Sequence, residues 1–253
     1  MLVESYILTH NSPRRLKDCL WRLIRADARF FTRPITVVDQ STLDGCKKEN
    51  KEIAAEYNVQ YRENENLGAS GGRWHCAQLH HASDADAMFY FEDDLIFNLE
   101  QKVLNKFGFP ALLGAPFDLA IQAVQDLKLD YVKFAFQEHF GVHTRLWPGG
   151  NVAKYELHRV RDCNVFVGDV YYCNWPMLIT KKCSRLIFLD EPKGEAATAK
   201  FALALMREQN LRFGVFAADM VMHSNLDRRR SDDVDLRQPT KKTVKPAESS
   251  DVA

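Results

Sequence analysis

Residues 87–91, AMFYF, form an unbroken apolar and aromatic run that ends in Glu92, Asp93 and Asp94. A run so short and so apolar reads as a strand buried on both faces, as at the centre of a largely parallel sheet. Three adjacent carboxylates repel one another, so a fold that gathers them needs a compensating cation, and hard oxygen ligands suit Mg2+ or Mn2+. The functional reading is a metal site at the carboxyl end of a central strand, where open α/β sheets bind ligands. A solvated acidic turn is the plain alternative. The surrounding sequence decides between them.

At 253 residues the chain suits one large α/β domain or two small ones. Its 34 basic and 34 acidic residues cancel, so nucleic acid would have to be met by a local patch. No stretch approaches the roughly 18 apolar residues that span a bilayer. The N-terminus runs directly into a strand pattern, without a secretory-type segment. Cys19, Cys46, Cys76, Cys163, Cys173 and Cys183 are scattered and contain no CxxC pair, which suits reduced thiols in a cytoplasmic protein. Cys76 and His80 stand one helical turn apart between His75 and His81, but a zinc site would want a second ligand pair that the sequence does not supply.

In chain order, residues 3–8 read as the first strand. Ser12-Pro13 reads as a helix start, an N-cap oxygen followed by a residue fixed at helical φ, with Leu16, Leu20, Leu23 and Ile24 on the apolar face. Residues 34–38 form a β-branched second strand that ends in Asp39. A helix over 47–57 and a strand over 59–62 lead into NENLGASGGR, where Gly68, Gly71 and Gly72 open another helix. Glycine costs helix stability there; what it provides is close backbone approach and free amides at a helix N-terminus. A βαβ connection places this turn and the carboxylates at one edge of the sheet.

The order ILTHNSPRRLKDCL, ITVVDQS, NENLGASGGR, FYFEDDL resembles the nucleotide-sugar-dependent glycosyltransferases of the GT-A fold, particularly the inverting type. The resemblance is close over about the first hundred residues and looser beyond, where residues 131–155 and 164–180 look like phage-encoded members. It implies an α/β fold, a GT-A (Rossmann-like) mixed, mostly parallel sheet flanked by helices. One domain would span residues 1–226, with a nucleotide-binding half over 1–98 and an acceptor half over 99–226. It further implies that Thr9 and Asn11 line the nucleotide pocket, that Asp39 hydrogen-bonds the base, and that Asn66, Gly68, Gly72 and Arg73 surround the ribose and diphosphate. Glu92, Asp93 and Asp94 match the acidic metal motif, with Asp94 as direct ligand, Asp93 near the ribose, and His223 completing the metal shell. The cofactors implied are Mn2+ or Mg2+ and a nucleotide-sugar, a UDP-sugar foremost.

Past Asn98, residues 99–108 and 117–129 read as helices and 131–136 as a strand. The polar, aromatic segment 137–151 stands where the family varies its acceptor side, and residues 164–180 read as two short strands with Asn174-Trp175-Pro176-Met177, where the family packs a segment under donor and acceptor. A helix over 196–209 follows Glu195, which matches the family's general base, although Ala196 replaces the usual second acid; Asp169, Asp190 and Glu191 compete for the role. Residues 211–217 read as a strand, and 227–253 as a polar tail rich in charge, Pro and Ser.

The leading expectation is therefore a metal-dependent glycosyltransferase with a nucleotide-diphosphate sugar donor and a hydroxyl acceptor. For the acceptor, the phage-like segments and the basic groups Lys181, Lys182, Arg185 and Arg228 to Arg230 suggest a hydroxymethylated pyrimidine in DNA, in an infected host's cytoplasm. A saccharide or lipid-linked sugar is the alternative. A nucleotidyltransferase would share the sheet and the acids but place a glycine-rich basic loop after the first strand; residues 9–15 are basic without glycine. A pure nucleotide-binding module is the third reading.

Overall fold

The computed structural model describes residues 1–26, 35–97, 115–134, 155–170, 172, 176–189, 195–218 and 220–223. Met1–His223 form one compact unit. The expected helix over 99–108, the segment 137–151, Asn174, Trp175, Asp190, Glu191 and the tail 227–253 lie outside the described residues.

The elements are β1 (Val3–Thr9), α1 (Pro13–Arg25), β2 (Ile35–Asp39), α2 (Asp44–Glu56), β3 (Gln60–Glu63), α3 (Gly68–Ala82), β4 (Ala87–Glu92) and β5 (Leu95–Phe97). After them come α4 (Pro116–Leu127), β6 (Tyr131–Lys133), β7 (Tyr155–Val160), β8 (Cys163–Gly168) and β9 (Met177–Thr180). The chain then runs through α5 (Lys181–Ser184), a π-helical turn (Arg185–Leu189), α6 (Glu195–Glu208), β10 (Phe213–Phe216) and β11 (Val221–His223).

Among the described residues, nine strands form one sheet in the order β3-β2-β1-β4-β9-β6-β10-β8-β7. The first four are mutually parallel. Beyond β4 the sheet is mixed: β9 runs against β4 and β6, β10 runs with β6, and β8 runs against β10 and β7. Seven of the nine strands thus point one way, with only β8 and β9 reversed. This is a Rossmann-like, mixed and mostly parallel α/β sheet. Helices cover both faces: α1, α2 and α4 pack with Ile7, Val37 and Phe89 on one, α3 and α6 with Tyr6, Tyr90 and Tyr131 on the other.

Local chemistry sets the element ends. Ser12 stands at the N-cap of α1 with Pro13 behind it, but its side chain makes no capping hydrogen bond, so the proline's fixed φ is what starts the helix. The α2 helix begins three residues before the expected Lys47, because Asp44 in its first turn suits the positive helix end. The two short strands expected over 164–180 are β8 and β9, but β7 and its hairpin with β8 were not anticipated. Its turn uses Arg161 at φ 50, a left-handed position where glycine or asparagine would have been the visible signal.

Strand β5 was also unforeseen, and it fixes the acidic turn. It pairs antiparallel with β11, and Phe97 stacks edge-on against Phe91 at 5.6 Å while also packing on Phe117 at 5.2 Å. Edge-to-face aromatic pairs contribute beyond their buried area. The Asp93–Asp94 turn is therefore held from both sides, by β4 before it and by the anchored β5 after it.

Candidate active site

Because β1, β2 and β4 are parallel and adjacent, their carboxyl ends meet at one edge. The backbone stitches these ends together: Gln40 N donates to Thr9 O, Asn64 N to Asp39 O, and Asp93 N to Leu8 O, at 2.8–3.0 Å. A cavity of about 400 Å³ opens there, lined by Thr9, His10, Arg15, Gln40, Asn66, Gly68 and the carboxylates Glu92, Asp93 and Asp94.

Six expected residues line it: Thr9, Asn66, Gly68, Glu92, Asp93 and Asp94. Thr9 Oγ1 donates to Asp93 Oδ2 at 2.5 Å. Asn66 Oδ1 accepts from Gly68 N at 3.0 Å, and Gly68 sits at φ +70, which an L side chain would strain. Burial pushes the Asp93 carboxyl up from 3.8 to about 7; the Thr9 hydroxyl pulls it down, Asp94 and Glu92 push it further up, and Arg15 opposes them.

Four expected residues are not among those that line the cavity. Asp39 is fully buried and its carboxylate is occupied: it accepts from Ser41 N at 2.8 Å, Tyr61 OH at 2.8 Å and Asn50 Nδ2 at 3.0 Å. Asp39, expected at the base, thus holds the loop after β2 and is not among the cavity's lining residues, whereas Gln40 and His10 are. Asn11, at φ 50, accepts from Thr42 N at 2.9 Å and ties the loop after β1 to the loop after β2. Gly72 serves packing: a Cβ there would meet Leu8 Cδ1 at 2.5 Å and Gln40 Oε1 at 2.9 Å. Arg73, expected at the diphosphate, is buried and faces Glu92 at 3.6 Å, so it neutralises one of the three acids from inside. Glu92 also accepts from Tyr90 OH at 2.9 Å.

Arg15 also lines the cavity, a position the sequence had not singled out. It lies in the first turn of α1, directly after the loop that carries Thr9 and Asn11, and it brings a guanidinium into the cavity. The doublet Arg14-Arg15 behind a strand end was the available signal.

Two expected residues are placed by backbone alone. His223 ends β11 opposite Leu95, the residue after Asp94. Glu195 is the first residue of α6. Among the described residues, no group of three His, Cys, Asp or Glu side chains converges as a metal cluster, and this includes Cys76 and His80.

A larger cavity, about 470 Å³, is lined by Tyr155, Glu156, Asp169, Arg212 and Phe213 among others. It lies at the opposite edge, where β10 begins and β8 ends, far from the acidic turn. This removes Asp169, which faces Arg207 at 3.7 Å, from the competition for general base at the carboxylate edge. Lys181 and Lys182 likewise follow Thr180, which pairs with Ala87 at the start of β4. Lys181 and Lys182, of the basic group invoked for DNA, therefore sit at the edge away from the acids.

No protein-family model matches the chain. No curated protein matches it either. Solved structures similar to it include a mannosyltransferase from Pyrobaculum calidifontis in complex with GDP-Man and Mn2+, at 13% identity over 52% of this chain, with a TM-score of 0.39. The chain spans 34% of that protein's length. A 4-diphosphocytidyl-2C-methyl-D-erythritol synthase from Anaerococcus prevotii matches at 10% identity over 85% of this chain and 87% of its own, with a TM-score of 0.48. A glucosyl-3-phosphoglycerate synthase from Mycobacterium tuberculosis, in complex with phosphoglyceric acid, matches at 12% identity over 83% of this chain and 66% of its own, with a TM-score of 0.47. A likeness this distant carries no chemistry from one protein to another.

Proposed function

We propose that this protein is a metal-dependent glycosyltransferase that moves a sugar from a nucleotide-diphosphate donor, a UDP-sugar foremost, to a hydroxyl acceptor. The observation that supports this reading is the cavity of about 400 Å³ at the carboxyl edge of the parallel strands, with three carboxylates on one wall and Arg15 and the start of α3 on the others. Three carboxylates lining one cavity are hard oxygen donors of the kind that suit a divalent cation, and a cation beside them would relieve the cost of ionising the buried Asp93. Mn2+ or Mg2+ would be held by Asp94 with Glu92 and His223, and would supply charge neutralisation for the departing diphosphate.

The chain's own residues take the other parts. Arg15 and the amides opening α3 hold phosphate oxygens. Thr9 holds Asp93 at the ribose side. Glu195, at the head of α6, accepts the acceptor proton in a single displacement that inverts the anomeric carbon.

For the acceptor, a saccharide or lipid-linked sugar is preferred over a hydroxymethylated pyrimidine in DNA, because Lys181 and Lys182 stand at the far edge. Binding of duplex DNA that weakens steeply with salt would reverse this preference. One observation favours a second reading, nucleotidyl transfer: Arg15 puts a basic residue after β1 into the cavity, although no glycine accompanies it. Release of pyrophosphate from a nucleoside triphosphate would identify that reaction.

The experiment is a thermal-shift panel of nucleoside diphosphates and nucleotide sugars, each with and without Mn2+, since a ligand that binds only the native state raises its stability. Metal-dependent stabilisation by one diphosphate, followed by its release from the matching sugar donor, is expected. A flat panel for every nucleotide would remove the proposal.

A further inference from the structure

The central sheet buries a lysine that the proposed reaction does not use. Lys133 ends β6, is fully buried, and its Nζ has no hydrogen-bond partner among the described residues. Lysine is almost never fully buried unless paired, because an unpaired ammonium in an apolar surrounding is expensive.

Its position gives that charge a direction. Register places Tyr90, Met177, Lys133 and Val215 in one row across β4, β9, β6 and β10, and the other three belong to the same apolar cluster. Lys133 therefore shares the face of Tyr90, whose hydroxyl reaches Glu92 at the cavity, and it ends its strand at the same edge as the acidic turn. It stands two strands beyond β4, on the side away from β2. On this face Arg73 faces Glu92 at 3.6 Å.

We infer that Lys133 is a specificity-determining residue that receives an anion, a carboxylate or a phosphate, carried by the transferred sugar or the acceptor. This rests on the glycosyltransferase reading for what lies beside the diphosphate, but not for the anion site itself. A hydrophobic residue at the end of β6 would serve the fold alone; an ammonium there serves a partner that arrives with the substrate.

The test compares the full chain with Lys133→Met, which keeps the volume and removes the charge, in thermal shift and calorimetry. The probes are D-glucuronate for the carboxylate, inorganic phosphate for the phosphate, D-glucose as the neutral control, and UDP with Mn2+ for the nucleotide site. The wild type should respond to one anion and not to glucose, which also says which anion it is. Lys133→Met should weaken that response at least about tenfold while leaving the nucleotide response unchanged, and its unliganded melting temperature should match or exceed the wild type's. Three results overturn the inference: no anion response in the wild type, an anion response kept by Lys133→Met, or an unliganded variant that is less stable. If Lys133→Met does not fold, Lys133→Gln takes its place, and failure of both also overturns it. Loss of the UDP response with the anion response intact would count against the reaction and not against Lys133.

Discussion

The two halves of the sheet each pair buried central strands with an exposed edge strand, but they distribute their chemistry differently. In the half made of β3, β2, β1 and β4 every strand is parallel, so each strand's carboxyl end, with the polar residues that follow, is delivered to one edge. In the half made of β9, β6, β10, β8 and β7 directions are mixed, so polar residues go to both edges, and its cavity lies at the edge away from the acids. The parallel half thus concentrates charge and stores electrostatic strain in Asp93. The mixed half spreads its charge into surface pairs such as Arg207 with Asp169.

The sharpest way to break this comparison is at Asp94. Asp94→Ala should lower transfer at least about 10³-fold, in the range of losing a group that stabilises transition-state charge, with little change in melting temperature. An active variant with unchanged Mn2+ response would move the chemistry away from the parallel edge. A packing change in the same half comes next. At Gly71 a Cβ would fall 2.1 Å from Leu67 Cβ, an atom fixed by backbone and not the far end of a side chain. Gly71→Ala should therefore displace the start of α3, costing roughly 2–3 kcal/mol in denaturant unfolding and weakening nucleotide binding together. If stability and binding both hold, the turn is not the rigid anion cradle described.

Asp93 provides the pH signature. Its folded carboxyl titrates near 7 against 3.8 ordinarily, so between those values the native state holds more protons than the unfolded state. Stability from this group is therefore greatest below about 4, falls as pH rises toward about 7, and is level above that. Asp93→Asn should unfold with wild-type stability near pH 4 and exceed it at pH 8 by about 1–3 kcal/mol, a range reduced for the carboxyl's partial exposure. Saturating Mn2+ should shrink the same difference. Parallel stability curves for the two proteins across this range would show that the acidic turn carries no strain.

The parallel half was legible because its signals are local: apolar runs of strand length, each followed by a polar turn, and a glycine cluster before the acidic strand. Which of those polar residues face the ligand was not legible. Asp39 and Arg73 have the right chemistry for binding, yet Tyr61, Asn50 and Glu92, all distant in sequence or on other elements, claim their polar atoms. The mixed half was harder at the level of the fold itself. Its β7–β8 hairpin turns on Arg161, and outside the nine-stranded sheet the β5–β11 ribbon joins segments more than a hundred residues apart, so neither has a periodic or turn signature. Lys133 shows the same limit, since only register reveals that it stands in a buried row.

The smallest effect is expected in the mixed half, at Arg207. Its guanidinium lies 3.7 Å from Asp169 beside the cavity of about 470 Å³, and its side chain is 51% exposed. Exposed pairs of this kind contribute only about 0–1 kcal/mol, because water and salt screen the attraction and two long side chains lose freedom. Arg207→Ala should change unfolding free energy by less than about 0.5 kcal/mol and leave nucleotide binding and transfer at wild-type values. The measurement discriminates between the edges, since the same removal of a charge at Asp94 is expected to stop the reaction. A large loss of transfer in Arg207→Ala would mean that the larger cavity, and not the acidic edge, takes part in the chemistry, and the contrast between the two halves would fall.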